Sequence, residues 1–163
     1  MCLTNNSHSH AYWNIYSPEG HGVRLRLRTS ELFKLVSAKK EKSWFGRLNY
    51  EFEKDIKNHL KSTIGLQKSL DNKDPDNLFL NVFHKKRMPF MYENESRISI
   101  LTNNEGKDGI YKLNFTPQKL ISQLYLDPHM GNNEVKAWKE YLLKFNIPVT
   151  RSLLLKDQIH KIK

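Results

Sequence analysis

The residues best suited to chemistry lie in one stretch, Arg87-Met-Pro-Phe-Met-Tyr-Glu93-Asn-Glu95-Ser-Arg97-Ile-Ser-Ile. On a strand, successive side chains alternate faces. Glu93, Glu95, Arg97 and Ser99 are therefore expected on one face, with Ile98 and Ile100 on the other. Two carboxylates two residues apart stand roughly 7 Å from each other along a strand. At that spacing they perturb each other's protonation, and an arginine beside them holds at least one ionised. Such a carboxylate can polarise a hydroxyl, act as a base or stabilise an oxocarbenium-like centre. The same spacing also makes a cross-strand ion-pair ladder on a wet sheet face, which stabilises little. Spacing alone leans towards the ladder without deciding.

Other chemistry-bearing residues form no comparable pattern. His8-x-His10 lacks a third and fourth ligand, and Cys2 is too close in sequence to supply one. His21, His59, His84, His129 and His160 are scattered without metal-site spacing, so no metal is expected. Cys2, flanked by leucine, reads as a small core residue rather than a nucleophile. The chain carries no glycine-rich phosphate loop, no Gly-x-Ser-x-Gly elbow and no kinase or deaminase signature. Trp13 and Tyr16, three apart beside a turn, share a face if that turn is helical. They read first as core residues and second as a pocket wall.

The chain has 163 residues, and a single domain over residues 1–155 followed by a basic tail over 156–163 is expected. Hydrophobic residues at 38% and aromatic residues at 11% supply a core, which excludes global disorder. No run approaches the roughly 20 apolar residues of a membrane span, and the first residues carry no export signal. A cytoplasmic protein is expected on those grounds. The formal charge is +10, and it is unevenly spread. Residues 1–50 carry eight basic and three acidic side chains, residues 51–135 twelve of each, and residues 136–163 seven and two. Basic ends of this kind suit phosphates or nucleic acid. Yet Arg24, Arg26 and Arg28 alternate with Val23, Leu25 and Leu27. That pattern predicts a half-buried strand with one solvated cationic face. Nucleic acid stays the second-ranked partner, because no recognised nucleic-acid motif accompanies the charge.

The elements that would position these residues follow from pattern and caps. Strands are expected over Met1–Thr4, Gly22–Arg28, within Trp44–Phe52 around Leu48, Tyr50 and Phe52, over Leu124–Leu126 and after Pro148. Thr29 or Ser30 caps a helix to about Lys39, with Leu32, Leu35 and Val36 inside. Residues 53–62 suit an amphipathic helix, residues 68–77 a polar loop, and Leu78–Lys86 a helix. Tyr92–Thr102 and Ile110–Phe115 both alternate around a glycine-containing turn, which predicts an antiparallel hairpin. Thr116-Pro117 opens a short helix in the preferred order of cap and proline. Asn132 or Asn133 caps a last helix whose Val135, Trp138, Leu142 and Phe145 make one apolar stripe. Helices and antiparallel strands mix without strict βαβ alternation, so the fold class is α+β, a mainly antiparallel sheet with flanking helices.

Several of these stretches together resemble a family of bacterial domains of unknown function associated with abortive phage infection, including AbiGi-like proteins. The matching residues are Cys2-Leu-Thr, Trp13-x-x-Tyr16, Gly22-Val23, the Phe90, Glu93, Glu95, Arg97 series, and Leu120-Ile-Ser-Gln-Leu-Tyr-Leu-Asp-Pro128. The resemblance implies a defence or toxin-type effector. It also implies that the chain corresponds to the C-terminal two-thirds of a family domain, through truncation, an internal start or a split gene, with another chain as one source of the upstream segment, and that its partner is nucleic acid or another protein of a defence system. An analogy at the level of the fold extends this to ADP-ribosyltransferases and NAD as cofactor. In that analogy Glu95 steadies the ribose oxocarbenium ion, Glu93 is its partner and Arg97 positions the pair. Tyr16, beside Trp13, would stack the nicotinamide, and the Arg24, Arg26 and Arg28 face would hold the diphosphate. The competing expectation is a non-enzymatic basic module that binds nucleic acid or a partner protein. On the sequence alone, Glu95→Gln should abolish activity and leave stability intact; equal loss of both, read by turnover beside a denaturation midpoint, would return Glu95 to the ladder.

Overall fold

The computed structural model describes residues 1–6, 9–64, 83–102 and 110–154, which form two compact units. The first unit takes Met1–Ser7 and Glu41–Asn104, and the second His8–Lys40 and Glu105–Lys163. Both are built of short strands and helices, so the class is α+β, with small, mainly antiparallel sheets.

In the first unit, β1 (Cys2–Thr4), β6 (Glu95–Leu101) and β3 (Lys42–Arg47) make an antiparallel sheet with β6 in the centre. The register places Cys2 opposite Arg97 and Thr4 opposite Glu95 on one side, and Gly46 opposite Arg97 on the other. The strand expected around Leu48 is split. Leu48 turns inward, its N–H bonds the Glu95 carbonyl at 2.9 Å, and the chain changes partners there. β4 (Asn49–Glu51) then pairs in parallel with β5 (Lys85–Arg87). The Lys85–Glu51 ion pair at 2.8 Å ties these strands together. Helix α3 (Glu53–Ile64) follows β4.

Three expectations depart from the structure here, the first of them only in part. Of the helix expected over Leu78–Lys86, Phe83 is helical, His84 is a turn and Lys85 and Lys86 already belong to strand β5, while the residues before Phe83, like the 68–77 loop, lie outside the described residues. The alternating segment from Tyr92 is not one strand. Met88–Glu93 is a 3-10 helix, and Asn94, with φ of 43°, turns the chain into β6. Asparagine tolerates that left-handed conformation better than most residues. The hairpin also fails, because residues 110–116 carry no strand and β6 takes β1 and β3 as neighbours. Alternation marks a segment that can be extended, and partner choice is a tertiary matter.

In the second unit, β2 (Val23–Leu27), β7 (Ile121–Leu126) and β8 (Val149–Arg151) form a sheet with β7 central. β2 runs antiparallel to β7 with an irregularity between Arg26 and Leu27, and β8 runs parallel to it. Helices α1 (His10–Tyr16), α2 (Thr29–Ser37), α4 (Pro117–Leu120) and α5 (Asn132–Leu143) complete the unit. The core joins Leu124 and Leu126 of β7 with Met130, Val135, Leu142 and Ile147, backed by Trp138 and Phe145. The expected apolar stripe of α5 is thus the core face. Its cap position falls on Gly131 rather than Asn132 or Asn133, and the α2 cap on Arg28, each without a side-chain cap bond. No described helix is long and apolar enough to cross a membrane.

Leu126 is wholly buried at the centre of this core. Leu126→Ala removes three carbons and leaves a cavity, so it should cost about 3 kcal/mol, read as a lowered urea midpoint with unchanged slope.

Candidate functional site

Glu93 and Glu95 do converge, but inside the first unit rather than on a wet face. Each carboxylate residue is about 5% exposed. The left-handed Asn94 is what permits this: Glu93 leaves the 3-10 helix, Glu95 begins β6, and both reach Lys86 on β5. Lys86 Nζ donates to Glu93 Oε2 and, at 3.1 Å, to Glu95 Oε2. Arg97 Nε donates to Glu95 Oε1 at 2.7 Å, and its Nη1 to the Phe83 carbonyl at 2.6 Å. The Glu95 N–H donates to the Tyr50 hydroxyl at 2.8 Å. β1 closes one side: Thr4 Oγ1 donates to the Glu93 carbonyl at 2.8 Å, and Asn5 Nδ2 donates to Ser96 Oγ at 2.9 Å. A wet ladder is therefore the wrong description, because both carboxylate residues are buried and bonded to Lys86 of β5.

Two anions and two cations balance, and the protonation states follow. Burial pushes the Glu95 carboxyl up, but hydrogen bonds from Arg97, Cys2 and Lys86 outweigh it and bring the group down to about 2. Burial pushes Lys86 down, and its bonds to Glu93 and Glu95 override that and lift it to about 12. The bond to Glu95 holds Arg97 above its ordinary value despite burial. Glu95 is thus fixed as an anion and is a poor proton carrier near neutral pH. It is suited to stabilising positive charge.

Two further side chains adjoin the cluster. Cys2 is exposed, which corrects its reading as a core residue. Its thiol is pushed up by burial of the sulfur region and then by the neighbouring Glu95 carboxylate, so it is a weak nucleophile. His84 is buried with Nε2 3.4 Å from Ser99 Oγ, and burial, then Arg97, lower its proton affinity. Gly46 makes room for that ring: a Cβ there would stand 3.1 Å from His84 Nδ1.

The remaining expected site residues belong to the second unit. Trp13 is buried, whereas Tyr16 is 63% exposed and stacks on Tyr12 at 5.4 Å, so the two do not share a face. The Arg24 guanidinium stands over the Tyr125 ring at 4.4 Å and the Trp13 ring at 5.8 Å. Burial lowers its proton affinity. Leu25, expected inside, is 49% exposed. The solvated arginine face thus holds for Arg26 but not for Arg24. β2 is an edge strand, and helix α5 packs on β7 and β8 instead. Arg28 is exposed, and its Nη1 donates to the carbonyls of Gln118, Lys119 and Ile121 around the end of α4.

Sequence reasoning missed Lys86, which is the hub of the cluster; its only local signal is a place in the basic run Lys85-Lys86-Arg87. It also missed Asp127, read only as the end of a strand. Asp127 is fully buried, and its Oδ1 accepts the His129 N–H at 2.8 Å and lies 3.0 Å from His129 Nδ1. Among the described residues no group of three His, Cys, Asp or Glu side chains is arranged to hold a metal ion; His8 lies outside them.

These features define a small α+β protein with a buried carboxylate–cation cluster on its central strand. Residues 12–98 match the family model described as protein of unknown function (DUF2971), more than half of the chain, and the protein belongs to that family. No curated protein and no solved structure matches it.

The cluster makes stability depend on pH in two windows. Glu95 is more acidic folded, at about 2, than its ordinary 4.5. Its contribution is complete above pH 4.5 and disappears as pH falls through about 2. Lys86 rises from 10.5 to about 12, so it contributes fully below pH 10.5 and is lost as pH climbs through about 12. Urea midpoints across pH should show both limbs, and Lys86→Met should flatten the alkaline one. That variant removes the cation shared by two buried carboxylates, of which Glu95 keeps Arg97, and should cost about 3 kcal/mol at pH 7.

Proposed function

We propose that the protein is a defence-type effector enzyme whose centre is the Glu95 carboxylate, acting on NAD by ADP-ribosyl transfer or by hydrolysis of the nicotinamide bond. The observation that carries this reading is the Glu95 carboxyl, held ionised at about 2 and fixed in place by Arg97 and Lys86. A group so held can steady an oxocarbenium ion without taking up a proton. In the reaction, the bond between ribose C1′ and the nicotinamide nitrogen breaks, and its electron pair leaves with the nicotinamide. Water or an acceptor nucleophile then adds to C1′ and gives its proton to solvent. A carboxylate offers about four acceptor positions, and Lys86 and Arg97 occupy three of them. The thiol of exposed Cys2, a weak donor, meets what remains, and a ribose hydroxyl can displace it. The resemblance to abortive-infection proteins supplies the defence setting.

A second reading is a basic module that binds nucleic acid or a partner protein. It is favoured by the pairing of Glu93 and Glu95 with internal cations, while Arg26 and Arg28 stay exposed in a chain of charge +10. Its mark is binding that falls steeply with salt.

Burial revises one expectation from the sequence. Glu95→Gln leaves Arg97 without its anion, so it should also lower stability, by about 2 kcal/mol. The test is nicotinamide release from NAD by the purified protein and by Glu95→Gln and Glu95→Asp, each scored per folded molecule from its denaturation curve. Release by the wild type, lost in Glu95→Gln while the folded fraction remains high, supports the enzyme. No release by the wild type overturns it, and binding of an oligonucleotide that weakens with salt then favours the basic module.

A further inference from the structure

The second unit contains a cavity of about 290 Å³ between α2 and the segment leading into α4. Its size is at the lower end of small-molecule sites. Four kinds of side chain line it, and together they match the parts of a nucleotide. Phe115, 50% exposed, presents a ring on which a base can stack. Lys34 from α2 and Lys119 from α4 supply cations, and Arg28, outside the lining, adds a charge at the adjoining end of α4. Glu31 carries a carboxylate, held low by its hydrogen bond to Lys34 at 2.8 Å. A carboxylate is the group that accepts hydrogen bonds from a ribose diol. Asn114 and Thr116 add neutral donors and acceptors at the rim, and Leu120 forms an apolar floor.

The charge balance favours an anion. Lys34 and Lys119 against Glu31 leave one net positive charge on the lining, and Arg28 stands beside it at the end of α4. Lys34 is a point charge on a flexible stem and can serve the Glu31 carboxylate and a phosphate in turn. A ligand with phosphate alone would leave the Phe115 ring and Glu31 unused. A nucleoside alone would leave Lys119 unused.

We propose that this cavity binds a free nucleoside monophosphate, with its base on Phe115, its ribose at Glu31 and its phosphate at Lys119 and Lys34. The proposal stands apart from the reading of Glu95, since every residue involved lies in the second unit.

Calorimetric titration of the full protein with AMP, adenosine, inorganic phosphate and a short oligoadenylate tests it. AMP should bind more tightly than adenosine or phosphate. Lys119→Gln should weaken AMP by about tenfold and leave adenosine unchanged, as expected for one charge-assisted contact. Phe115→Ala should weaken AMP and adenosine alike by about tenfold, and Phe115→Trp should restore both, since the contact is stacking. Phe115 and Lys119 are exposed, so these variants should keep the wild-type melting profile. Equal binding of phosphate and AMP would make the cavity an anion patch and overturn the proposal. So would tighter binding of the oligoadenylate, which would make the occupant a nucleic-acid strand, and so would no binding of any of the four. NAD turnover in the same samples keeps failure here distinct from failure at Glu95.

Discussion

The first unit depends on one shared cation. Lys86 bonds two carboxylates that arrive on different elements, Glu93 from the 3-10 helix and Glu95 from the central strand. Among the described residues of that unit, the buried apolar side chains are Leu48 and Ile98, while His84, Glu93, Glu95 and Ser96 are buried polar ones. A centre so polar cannot be held by hydrophobic burial alone. Each buried charge carries a desolvation cost of several kcal/mol, offset only when geometry and hydrogen bonds are good. The network meets that condition because Arg97, Tyr50 and the Asn5–Ser96 contact satisfy the groups around Glu95.

That constraint narrows the chemistry open to Glu95. A carboxyl held at about 2 does not shuttle protons at neutral pH. The cations that fix it also oppose its charge, and the exposed Cys2 adjoins it. The second unit is organised on the opposite principle. Its core is a continuous apolar cluster, and its buried charges sit at the margin: Arg24 over two rings, and Asp127 at the turn after β7. An arginine over aromatic faces loses less on partial burial than an unpaired cation would, because the ring quadrupoles attract it.

Much of the local structure was legible in the sequence. The α2 and α5 helices, the Thr116-Pro117 start of α4, and strands β1, β2, β7 and β8 follow from apolar period, proline position and breakers, all of which act within a few residues. The interest of Glu93, Glu95 and Arg97 was also legible, since charge type and spacing are written in the chain. Their environment was not. Alternation after Tyr92 is equally compatible with a wet strand and with buried carboxylates bonded to Lys86 of β5, and Asn94 hides its turn inside that alternation.

The sequence by itself therefore determined the helices α2, α3 and α5, the places of strands β1, β2, β7 and β8, and which side chains carry charge. Tertiary structure alone decided that Lys86 joins the two glutamates, that β6 lies between β1 and β3 instead of in a hairpin, and that Arg24 faces rings rather than water. The physical reason is range. Backbone preference and period are summed over neighbours in sequence, whereas desolvation and charge pairing depend on groups distant in sequence, as Thr4 and Glu93 are in the contact that closes the cluster.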